Sequence, residues 1–544
     1  MTEPYKPDDE ERAEYYFGIA GNPRLVARTS HERWSKPVHE GAWNTHRRKR
    51  YLAVLEREQH EIVSRWTKDL TLALVQALNE CSWTYFFPIR IGLEDTLFSE
   101  FPTILLVAVE EDTLQWKKGI AVALECRKIL RDFKIANVEI EIREGKYAHF
   151  AASAEFERQI DPEAWACGQT NTLALPMLSS LGYAIGYSED RMGEGSLGLH
   201  LKLGDKNPAV YGLTCRHVVS NSRLPSESYT VWEGHKQHHV QAGDNGFTQC
   251  LEELKYHQTD LENQIEPLQT KKYRWENWYI YEKEKEHKRP TEQETTALTE
   301  LQSLGAYNQR VIDLFSKISR KKDRQIGHLA FHPKLELSSE RPGYLKDWAL
   351  IELDLKKFNN NPENKVFIGT EYDNNVLLKR LLNNGFLQLH LERQDLEGSS
   401  TFLVGKRGFK TGLTYGEKNS IEAVVRRHAD VKEQFAWEML IVPSRKGRVF
   451  SAKGDSGSSI FDMQGRVIGL VNGSTHVTSF DEKRGWRGIP KKYPGGTARP
   501  EKADETPSGD LVTWPDGTDV TFATPIQWVL EDIERFTGLE PRLA

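Results

Sequence analysis

The sequence predicts a mainly β fold with an α/β unit at its N-terminal end and a helical hairpin inserted into the β region. Short apolar runs of strand length, separated by turns, occur within residues 170–245 and 327–544. Apolar residues that recur every seven positions indicate two long helices within residues 246–326. A strand–helix–strand pattern occupies residues 41–165, whereas residues 1–40 show little periodicity and are predicted to be irregular.

The N-terminal α/β unit is predicted from the spacing of its apolar residues. A long amphipathic helix is expected over about residues 50–78, with strands over 84–91 and 102–110. A helix over 113–132 then leads into alternating apolar residues over 136–142, the pattern of a half-buried strand. Strand, helix and strand in this order imply a crossover connection and a small α/β sandwich. The unit shows no cofactor fingerprint, so it is interpreted as a partner-docking or regulatory domain.

The insertion carries apolar residues at heptad spacing on both arms, which predicts a coiled coil. The seam of the first arm comprises Leu254, Leu261, Leu268 and Trp275, with Leu251 and Ile265 beside them. The seams of the return arm comprise Leu304, Val311 and Ile318, and Leu301, Asn308 and Phe315. A turn is expected near residues 288–291, and Pro267 should kink the first arm. Three roles stay open for this arm: it binds a protein partner, it shields a cleft, or it is a surface insertion on the β region without a role of its own.

A Gly-Asp-Ser-Gly turn at residues 454–457 is the most informative motif of the chain. A serine hydroxyl is a poor nucleophile and needs an adjacent base, and attack by it needs N–H donors for the oxyanion that forms. The small residues let the backbone bend, so the N–H groups of Gly454 and Ser456 are expected to form an oxyanion hole. The alternative is an ordinary surface turn rich in Gly, Asp and Ser.

Two upstream segments contain the residue types that such a serine requires. His217 follows an apolar strand end in the run Leu-Thr-Cys-Arg-His-Val-Val, and Asp347 opens the apolar run Asp-Trp-Ala-Leu-Ile. The chain order is therefore His217, Asp347, Ser456. Subtilisin-type and α/β-hydrolase sites use other orders, and the α/β-hydrolase elbow also needs a glycine where this chain has Ser458.

These three motifs in this order resemble the chymotrypsin/trypsin-like serine proteases, in an intracellular form without disulfides. The resemblance covers roughly residues 175–538 with one large interruption. It implies a chymotrypsin-like double β-barrel and a serine endopeptidase that hydrolyses peptide bonds through a covalent acyl-enzyme. It also implies that His217 is the general base and acid, that Asp347 fixes the tautomer of His217, and that Ser456 is the nucleophile.

Further segments extend the resemblance to the second barrel. Residues 404–416 resemble a hairpin of that barrel, and residues 465–473 resemble the strand after the nucleophile, whose edge binds substrate backbone. Asn472 and Gly473 are therefore expected to bind substrate. Phe450, six residues before the nucleophile, stands where the base of the primary pocket is often lined. Because no acidic residue stands there, an apolar or small substrate side chain is expected rather than Lys or Arg.

The chain departs from the family around the nucleophile. The usual second glycine is replaced by Ser458, and no Ile-Val-Gly-Gly-like activation sequence precedes the β region. In the digestive proteases a freed N-terminal amine pairs with the Asp that precedes the nucleophile. Here Asp455 would need another partner or none, so zymogen cleavage of that type is not expected.

Composition argues against several classes of protein. A net charge of −6 over 544 residues gives no support for nucleic acid or a membrane as the main partner. No apolar run approaches bilayer length, and the acidic start lacks the apolar core of a secretory signal. Five cysteines without a pairing pattern predict reduced thiols, hence a cytoplasmic or nuclear protein that is not secreted. The basic run at 47–50 is either a nuclear address or a solvated helix start.

No cofactor and no metal ion is expected. His235, His238 and His239 cluster, but no Cys or acidic residue provides a zinc spacing with them. The expected partner is a protein or peptide substrate, with a possible protein partner on the arm at 246–326. Two alternatives stay open. One is a catalytically silent protease-like scaffold that binds proteins through the arm and the N-terminal domain, and the other is an esterase-like acyl hydrolase with the same triad.

Overall fold

The structure of the protein, a computed structural model, describes residues 4–40, 45–56, 60–149, 181–187, 194–219, 228–230, 239–277, 289–338, 343–358, 361–368, 382–383, 386–391, 403–426, 435–444, 449–476 and 520–544. Its helices are α1 (Asp9–Glu14), α2 (Glu61–Arg65), α3 (Lys68–Leu78), α4 (Trp116–Asp132), α5 (Arg216–Val219), α6 (Asp244–Glu276), α7 (Glu292–Lys317) and α8 (Ile526–Thr537). Among the residues in these ranges, no helix combines the length and the apolar character needed to cross a bilayer.

The strands fall into an N-terminal group, a middle group and a C-terminal group. The N-terminal strands are β1 (Leu25–Arg28), β2 (Val38–Glu40), β3 (Thr45–Arg47), β4 (Arg50–Ala53), β5 (Trp83–Leu93), β6 (Thr103–Val109), β7 (Glu139–Glu144) and β8 (Lys146–His149). The middle strands are β9 (Ala184–Tyr187), β10 (Gly195–Ser196), β11 (Leu199–Leu203), β12 (Tyr211–Thr214), β13 (Tyr229–Thr230), β14 (His239–Ala242), β15 (Gln325–His332), β16 (Ala349–Leu353), β17 (Lys365–Phe367), β18 (Leu382–Asn383) and β19 (Phe386–Gln388). The C-terminal strands are β20 (Leu403–Gly408), β21 (Gly412–Lys418), β22 (Ala423–Arg426), β23 (Phe435–Pro443), β24 (Ser459–Asp462), β25 (Val467–His476), β26 (Thr521–Pro525) and β27 (Pro541–Leu543).

Six antiparallel strands of the C-terminal group close into a barrel. Their order is β23, β21, β20, β24, β25 and β26, and β26 pairs back to β23. Closure leaves no open edge between these strands, and their inward side chains form a small apolar core. That core comprises Val404, Met439, Ile441, Phe450, Ile460, Ile468, Val471 and Ala523.

A nine-stranded antiparallel sheet, built mostly from the middle strands, packs against the barrel. Its order is β10, β9, β14, β15, β16, β12, β11 and β27, with β13 beside β15. Its core includes Leu197 and Leu350 together with Phe461 and Leu470 of the barrel strands. The pairings that the described residues make do not close this sheet, so the second barrel of the predicted double barrel is not confirmed.

The N-terminal unit contains the predicted crossover but is not a separate sandwich. Strands β6 and β7 pair in parallel with α4 between them, as the strand–helix–strand pattern predicts. Strand β5 then pairs with β22, which joins this sheet to β23 of the barrel. A shared apolar core follows, in which Tyr85 and Phe87 pack against Phe522 of the barrel.

Two N-terminal predictions are wrong. Residues 1–40 were expected to be irregular, yet they include α1 and β1, and β1 pairs with β7. Residues 50–78 were expected to form one helix, yet β4 opens this stretch and α2 and α3 follow it. Local periodicity fails here because β4 gains its hydrogen bonds from the distant strand β5, which no local pattern records.

The insertion is an antiparallel pair of long helices. Near the base, the Asn308 amide of α7 donates to the Leu254 carbonyl of α6 at 2.9 Å. Towards the tip, Lys271 of α6 pairs with Glu294 of α7 at 2.6 Å. Helix α7 begins after a Thr291 cap, next to the predicted turn, and α6 continues through Pro267. Residues 278–288 lie outside the described chain, and a supercoil of the two helices is not confirmed.

One position of the predicted seams of the return arm is wrong, whereas Val311 of the same seam is buried as predicted. Leu304 is 53% exposed, whereas the neighbouring Gly305 is buried against α6. The buried stripe instead steps by three and four residues, as one face of an α-helix requires. It comprises Leu298, Leu301, Gly305, Asn308, Val311, Ile312 and Phe315, of which Leu301 is half-buried. Trp275, assigned to the first seam, is 38% exposed at the end of α6.

The thiols of Cys81 and Cys126 are made unreactive by burial. Burial raises the pKa of the Cys81 thiol to about 11 and raises the pKa of Cys126 as well. Because the thiolate is the reactive form, both residues behave as inert apolar side chains at neutral pH.

The base of the arm closes on itself, which predicts that the arm can be shortened. An ion pair joins Asp244 to Arg324, and the Phe247 ring stacks on the Phe315 ring with centroids 5.0 Å apart. Replacing residues 262–301 with a short Gly/Ser linker should leave both β regions folded, because a surface loop carries little closure cost. Circular dichroism and thermal unfolding test this. Loss of a cooperative transition would show that the outer helices belong to the core.

Candidate active site

The pairing of β12 with β16 brings His217 and Asp347 together. Thr214 at the end of β12 lies opposite Ala349 at the start of β16. His217 comes three residues after Thr214, in the short helix α5, and Asp347 comes two residues before Ala349. In an antiparallel pair the end of one strand meets the start of the other, so these side chains leave the sheet at the same place.

Two hydrogen bonds link Asp347 to His217. The Nδ1 of His217 lies 2.7 Å from Oδ2 of Asp347, and the backbone N–H of His217 donates to Oδ1 at 3.1 Å. The Asp347 side chain is fully buried, and the His217 side chain is 12% exposed. Since a carboxylate only accepts, Nδ1 carries the hydrogen, and Nε2 is the nitrogen that can take up a proton.

Buried neighbours fix the position of Asp347. The adjacent Trp348 is fully buried and donates its indole N–H to Asp532 of α8 at 2.8 Å. Arg216 is buried beside His217, and its Nε donates to Nδ1 of His332 at 3.2 Å. Burial lowers the pKa of Arg216, while the negative charge of Asp347 acts in the opposite direction. Asp347 is therefore surrounded by buried side chains, and the Arg216 cation lies close to it.

The turn around Ser456 depends on two glycines with positive φ. Gly454 has φ +113° and Gly457 has φ +89°, conformations that other residues rarely adopt. A Cβ on Gly457 would lie 2.2 Å from Oγ1 of Thr214, so only glycine lets this turn approach the end of β12. The turn thereby packs directly against the strand that leads to His217.

One carbonyl joins the histidine segment to the serine segment. The carbonyl of Val471 on β25 accepts from the Gly457 N–H at 2.8 Å and from the Cys215 thiol at 3.1 Å. Gly457 follows Ser456, and Cys215 lies two residues before His217. The carbonyl of Ser456 also accepts from the N–H of Ser196 at 2.7 Å. The structure thus brings together the three segments that were predicted from widely separated motifs.

The Ser456 hydroxyl is not hydrogen-bonded to His217 in this structure. Ser456 is fully buried, and its Oγ has no hydrogen-bond partner among the described residues. In unliganded enzymes the bonds between catalytic groups are often long and tighten only when substrate binds. His217 and Asp347 of the predicted triad are therefore in contact, whereas His217 Nε2 and Ser456 Oγ would have to move closer to form a hydrogen bond.

The two predicted oxyanion donors make no backbone hydrogen bond of their own to the residues that the structure describes. Within the described part of the chain, the backbone N–H groups of Gly454 and Ser456 donate to no protein acceptor. The neighbouring amides are used, since Asp455 donates to Ala452 and Ser458 donates to Asp455. This arrangement is compatible with the oxyanion hole that the sequence predicts for the two amides.

The predicted substrate-binding residues have different surroundings. Phe450 is fully buried in the apolar core of the barrel. The Asn472 side chain is also fully buried, and its amide donates to Glu438 and to Thr524, each at 2.7 Å. Gly473 lies within β25 opposite Phe522 of β26. The side chains of Phe450 and Asn472 are thus both buried in the interior, whereas Gly473 has no side chain to bury.

A buried lysine is the partner of Asp455 that the motifs did not identify. Nζ of Lys406 lies 3.1 Å from Oδ2 of Asp455, and both side chains are fully inaccessible. Lys406 also donates to the Thr411 hydroxyl and to the Gly412 carbonyl, so its three N–H donors are used. A lysine within the buried strand β20 was the available signal, because charged side chains are rarely buried unless they are paired.

Four further donors bind the same carboxylate. The N–H groups of Lys410 and Thr411 donate to Oδ1 of Asp455, at 2.9 and 3.2 Å. The Thr411 hydroxyl and the Ala452 N–H donate to Oδ2, at 2.7 and 2.9 Å. A Cβ on Gly408 would lie 2.3 Å from Oδ1, so glycine is required for β20 to pass this close. Asp455 therefore anchors the backbone on both sides of the candidate oxyanion donors.

Three potential metal ligands also meet at this site. Donor atoms of Cys215, His217 and Asp347 lie within 4.8 Å of one another. Two groups that share a tetrahedral zinc ion at about 2.0–2.2 Å hold their donor atoms roughly 3.3 Å apart. The 2.7 Å contact between Nδ1 and Oδ2 is shorter than this and is that of a hydrogen bond. In the arrangement seen, the geometry fits a histidine–carboxylate pair better than a metal centre.

Comparison with known proteins adds little to this geometry. No model of a protein family matches the chain, and no curated protein matches its sequence. Among solved structures, a glutamic-acid-specific serine protease matches with a TM-score of 0.28 and 11% identity, covering 67% of this chain and 100% of that chain. A likeness this distant carries no argument, so the interpretation of the site depends on its own residues.

The Lys406–Asp455 pair should control the reactivity of Ser456. Lys406→Met leaves the buried Asp455 carboxylate without its cation and weakens its hold on the turn at residues 454–457. Labelling of Ser456 by a fluorophosphonate should therefore slow by about 10²–10³. Lys271→Met removes a half-exposed lysine from the arm and is the matched control. Labelling within threefold of wild type by folded Lys406→Met would contradict this role.

The same pair predicts an alkaline limit to labelling. Burial lowers the pKa of Lys406 below its usual 10.5, while Asp455 opposes this shift and Arg407 adds to it. The ion pair is therefore present below the lowered pKa and is lost as pH rises through it. The labelling rate of wild type should fall at a pH below 10.5 while the fold persists, as circular dichroism would show.

Proposed function

We propose that the protein is a serine endopeptidase that uses His217, Asp347 and Ser456. The observation that carries this proposal is the pair of hydrogen bonds between His217 and Asp347 beside the Ser456 turn. A structural turn has no need for a histidine whose tautomer is set by a buried carboxylate. The chain order and the turn motif, which resemble those of chymotrypsin/trypsin-like proteases, support the same conclusion.

In the proposed reaction, His217 first acts as a base. Its Nε2 takes the proton of the Ser456 hydroxyl while Oγ attacks the carbonyl carbon of a peptide bond. The carbonyl oxygen becomes negatively charged and accepts from the N–H groups of Gly454 and Ser456. Asp347 stays ionised and stabilises the imidazolium through the Nδ1 hydrogen bond.

The second half of the proposed cycle releases both products. The tetrahedral intermediate collapses, the C–N bond breaks, and the leaving amine takes the proton from Nε2 of His217. A water molecule then gives a proton to Nε2, attacks the acyl-enzyme ester, and releases the acid while Ser456 regains its proton. An ester substrate would follow the same path with an alcohol as leaving group, so an acyl hydrolase is a variant of this chemistry.

A catalytically silent scaffold is the second candidate. It is favoured by the complete burial of Ser456 and by the absence of a described hydrogen-bond partner for its Oγ. In that case the helical arm and the N-terminal unit would provide the binding surfaces. Covalent labelling distinguishes the two candidates, because a silent scaffold does not react with a serine-directed phosphonate.

Several features of the proposal depend on the sequence alone. We infer a cytoplasmic or nuclear location from the cysteines, which show no pairing pattern, and a protein partner for the arm at 246–326 from its heptad-spaced apolar residues. We infer a preference for apolar or small side chains before the scissile bond, because Phe450 and no acidic residue stands six positions before Ser456. Cleavage of a proteome-derived peptide library tests this preference, which dominant cleavage after Lys or Arg would contradict.

Removing either reacting group should abolish covalent chemistry. Ser456→Ala and His217→Ala should each lower the turnover number by about 10⁶, and the double variant should lose little more, because the two groups act as one unit. Turnover of casein peptides and fluorophosphonate labelling measure this. Ser420→Ala changes a serine between β21 and β22, outside the site, and is the matched control.

Either of two results would contradict the assignment. Cleavage by Ser456→Ala at the wild-type rate would move the nucleophile elsewhere, and strictly additive losses in the double variant would separate the two residues. Circular dichroism of each variant ensures that lost activity is not lost folding.

The role of Asp347 is tested by the nearly isosteric amide. Asp347→Asn should keep the fold but allow the wrong His217 tautomer, which lowers the rate by around 10⁴. Cys215→Ala removes the third potential metal ligand and should stay within tenfold of wild type. A wild-type rate for Asp347→Asn, or bound zinc that Cys215→Ala abolishes together with activity, would overturn this role.

A further inference from the structure

A strand of the N-terminal unit lies on the edge of β25 beside the candidate nucleophile. Strand β8 pairs antiparallel with the C-terminal half of β25. In this pairing Lys146 lies opposite His476, and His149 lies opposite Gly473. The strand therefore runs towards the Ser456 turn as its residue numbers increase.

Strands β8 and β24 pair with the same edge of β25, β24 with its N-terminal half and β8 with its C-terminal half. Gly473 and Ser474 pair with β26 on one side of β25, so β8 must pair with them on the other side. Leu470 pairs with Thr524 of β26 and with Ser459 of β24. Between the end of β24 and the end of β8, this edge therefore consists of Val471 and Asn472.

This short gap lies next to Ser456. The N–H of Val471 donates to Ser458 at 2.9 Å, and its carbonyl accepts from Gly457 at 2.8 Å. An extended peptide that reaches Ser456 from this side would add to the β25 edge as an antiparallel strand, a common mode of peptide recognition. Its direction would be that of β8, so its N-terminal portion would run into the position of His149.

Strand β8 is held firmly by both of the units that it joins. It follows β7 after Gly145, whose N–H donates to Val109 at 2.9 Å and whose carbonyl accepts from Thr84 at 2.8 Å. The Tyr147 ring packs on Phe522 of β26 with centroids 5.6 Å apart. The strand is thus a fixed part of the sheet rather than a loosely bound tail.

We propose that β8 determines substrate specificity by limiting backbone pairing on the β25 edge to the position of Asn472, because the N–H and carbonyl of Val471 are already bonded to Ser458 and Gly457. This inference deepens the proposed peptidase function and rests on it. Residues further from the scissile bond meet β8 instead of an open edge. The protease would therefore gain little from long substrates on this side, unlike an enzyme whose β25 edge is exposed.

Two p-nitroanilide substrates test the proposal. Both carry the same two residues before the anilide, chosen from the library profile, and the longer one carries three further alanines. In wild type the longer substrate should raise kcat/KM by less than about threefold. A gain of tenfold or more in wild type would overturn the proposal, because it requires an open edge beyond Asn472.

Detaching β8 should restore the dependence on length. Ala148→Pro removes a backbone N–H and disfavours strand pairing, and Ala148→Ser keeps the N–H as the matched control. Hydrogen exchange at residues 473–476 reports whether β8 is detached from β25. If these residues stay protected in Ala148→Pro, the double variant Tyr147→Pro with Ala148→Pro is used instead. Once β8 is detached, the longer substrate should gain tenfold or more, since each new backbone hydrogen bond contributes several-fold.

The outcomes separate this inference from the proposed function. Detachment with a length effect still below threefold would overturn the role of β8 while hydrolysis persists. Absence of any Ser456-dependent hydrolysis of either substrate, in wild type and in the detached variant, would instead overturn the peptidase function. A flat response in wild type and in Ala148→Ser, with a gain only after detachment, would support both.

Discussion

The carbonyl of Val471 is the contact on which the candidate site depends. It accepts from Gly457 of the Ser456 turn and from Cys215 of the histidine segment, so it joins the barrel to the nine-stranded sheet. Neither unit contains the whole site, because His217 and Asp347 leave the sheet while Ser456 leaves the barrel. Any shift between the two units would change the distance between His217 and Ser456.

Buried charge is compensated on both sides of the junction. Asp347 and Asp455 are both buried carboxylates, and each would be strongly destabilising without partners. Asp347 is bonded to His217, where a proton can be taken up, whereas Asp455 receives five donors that include the Lys406 cation. The first arrangement orients the His217 ring, and the second fixes the backbone that presents the candidate oxyanion donors.

The N-terminal unit is joined to the barrel by strand pairing and is not a separate sandwich. Strand β5 continues the sheet of the barrel through β22, and β8 covers part of the β25 edge. Isolated motifs could not predict this, because the α/β pattern of residues 41–165 is complete in itself. The physical reason is that an edge strand has unpaired N–H and C=O groups, and pairing with β22 satisfies them.

The sequence by itself determined several of the local elements and the candidate reacting residues. Periodicity predicted β5, β6, α4 and β7, and three motifs predicted His217, Asp347 and Ser456, since spacing and residue chemistry are local properties. The tertiary structure alone decided which distant groups meet, such as Lys406 with Asp455 and β8 with β25. It also placed Gly305 rather than Leu304 on the buried face of the arm, because contact across two helices, and not the repeat alone, selects the seam.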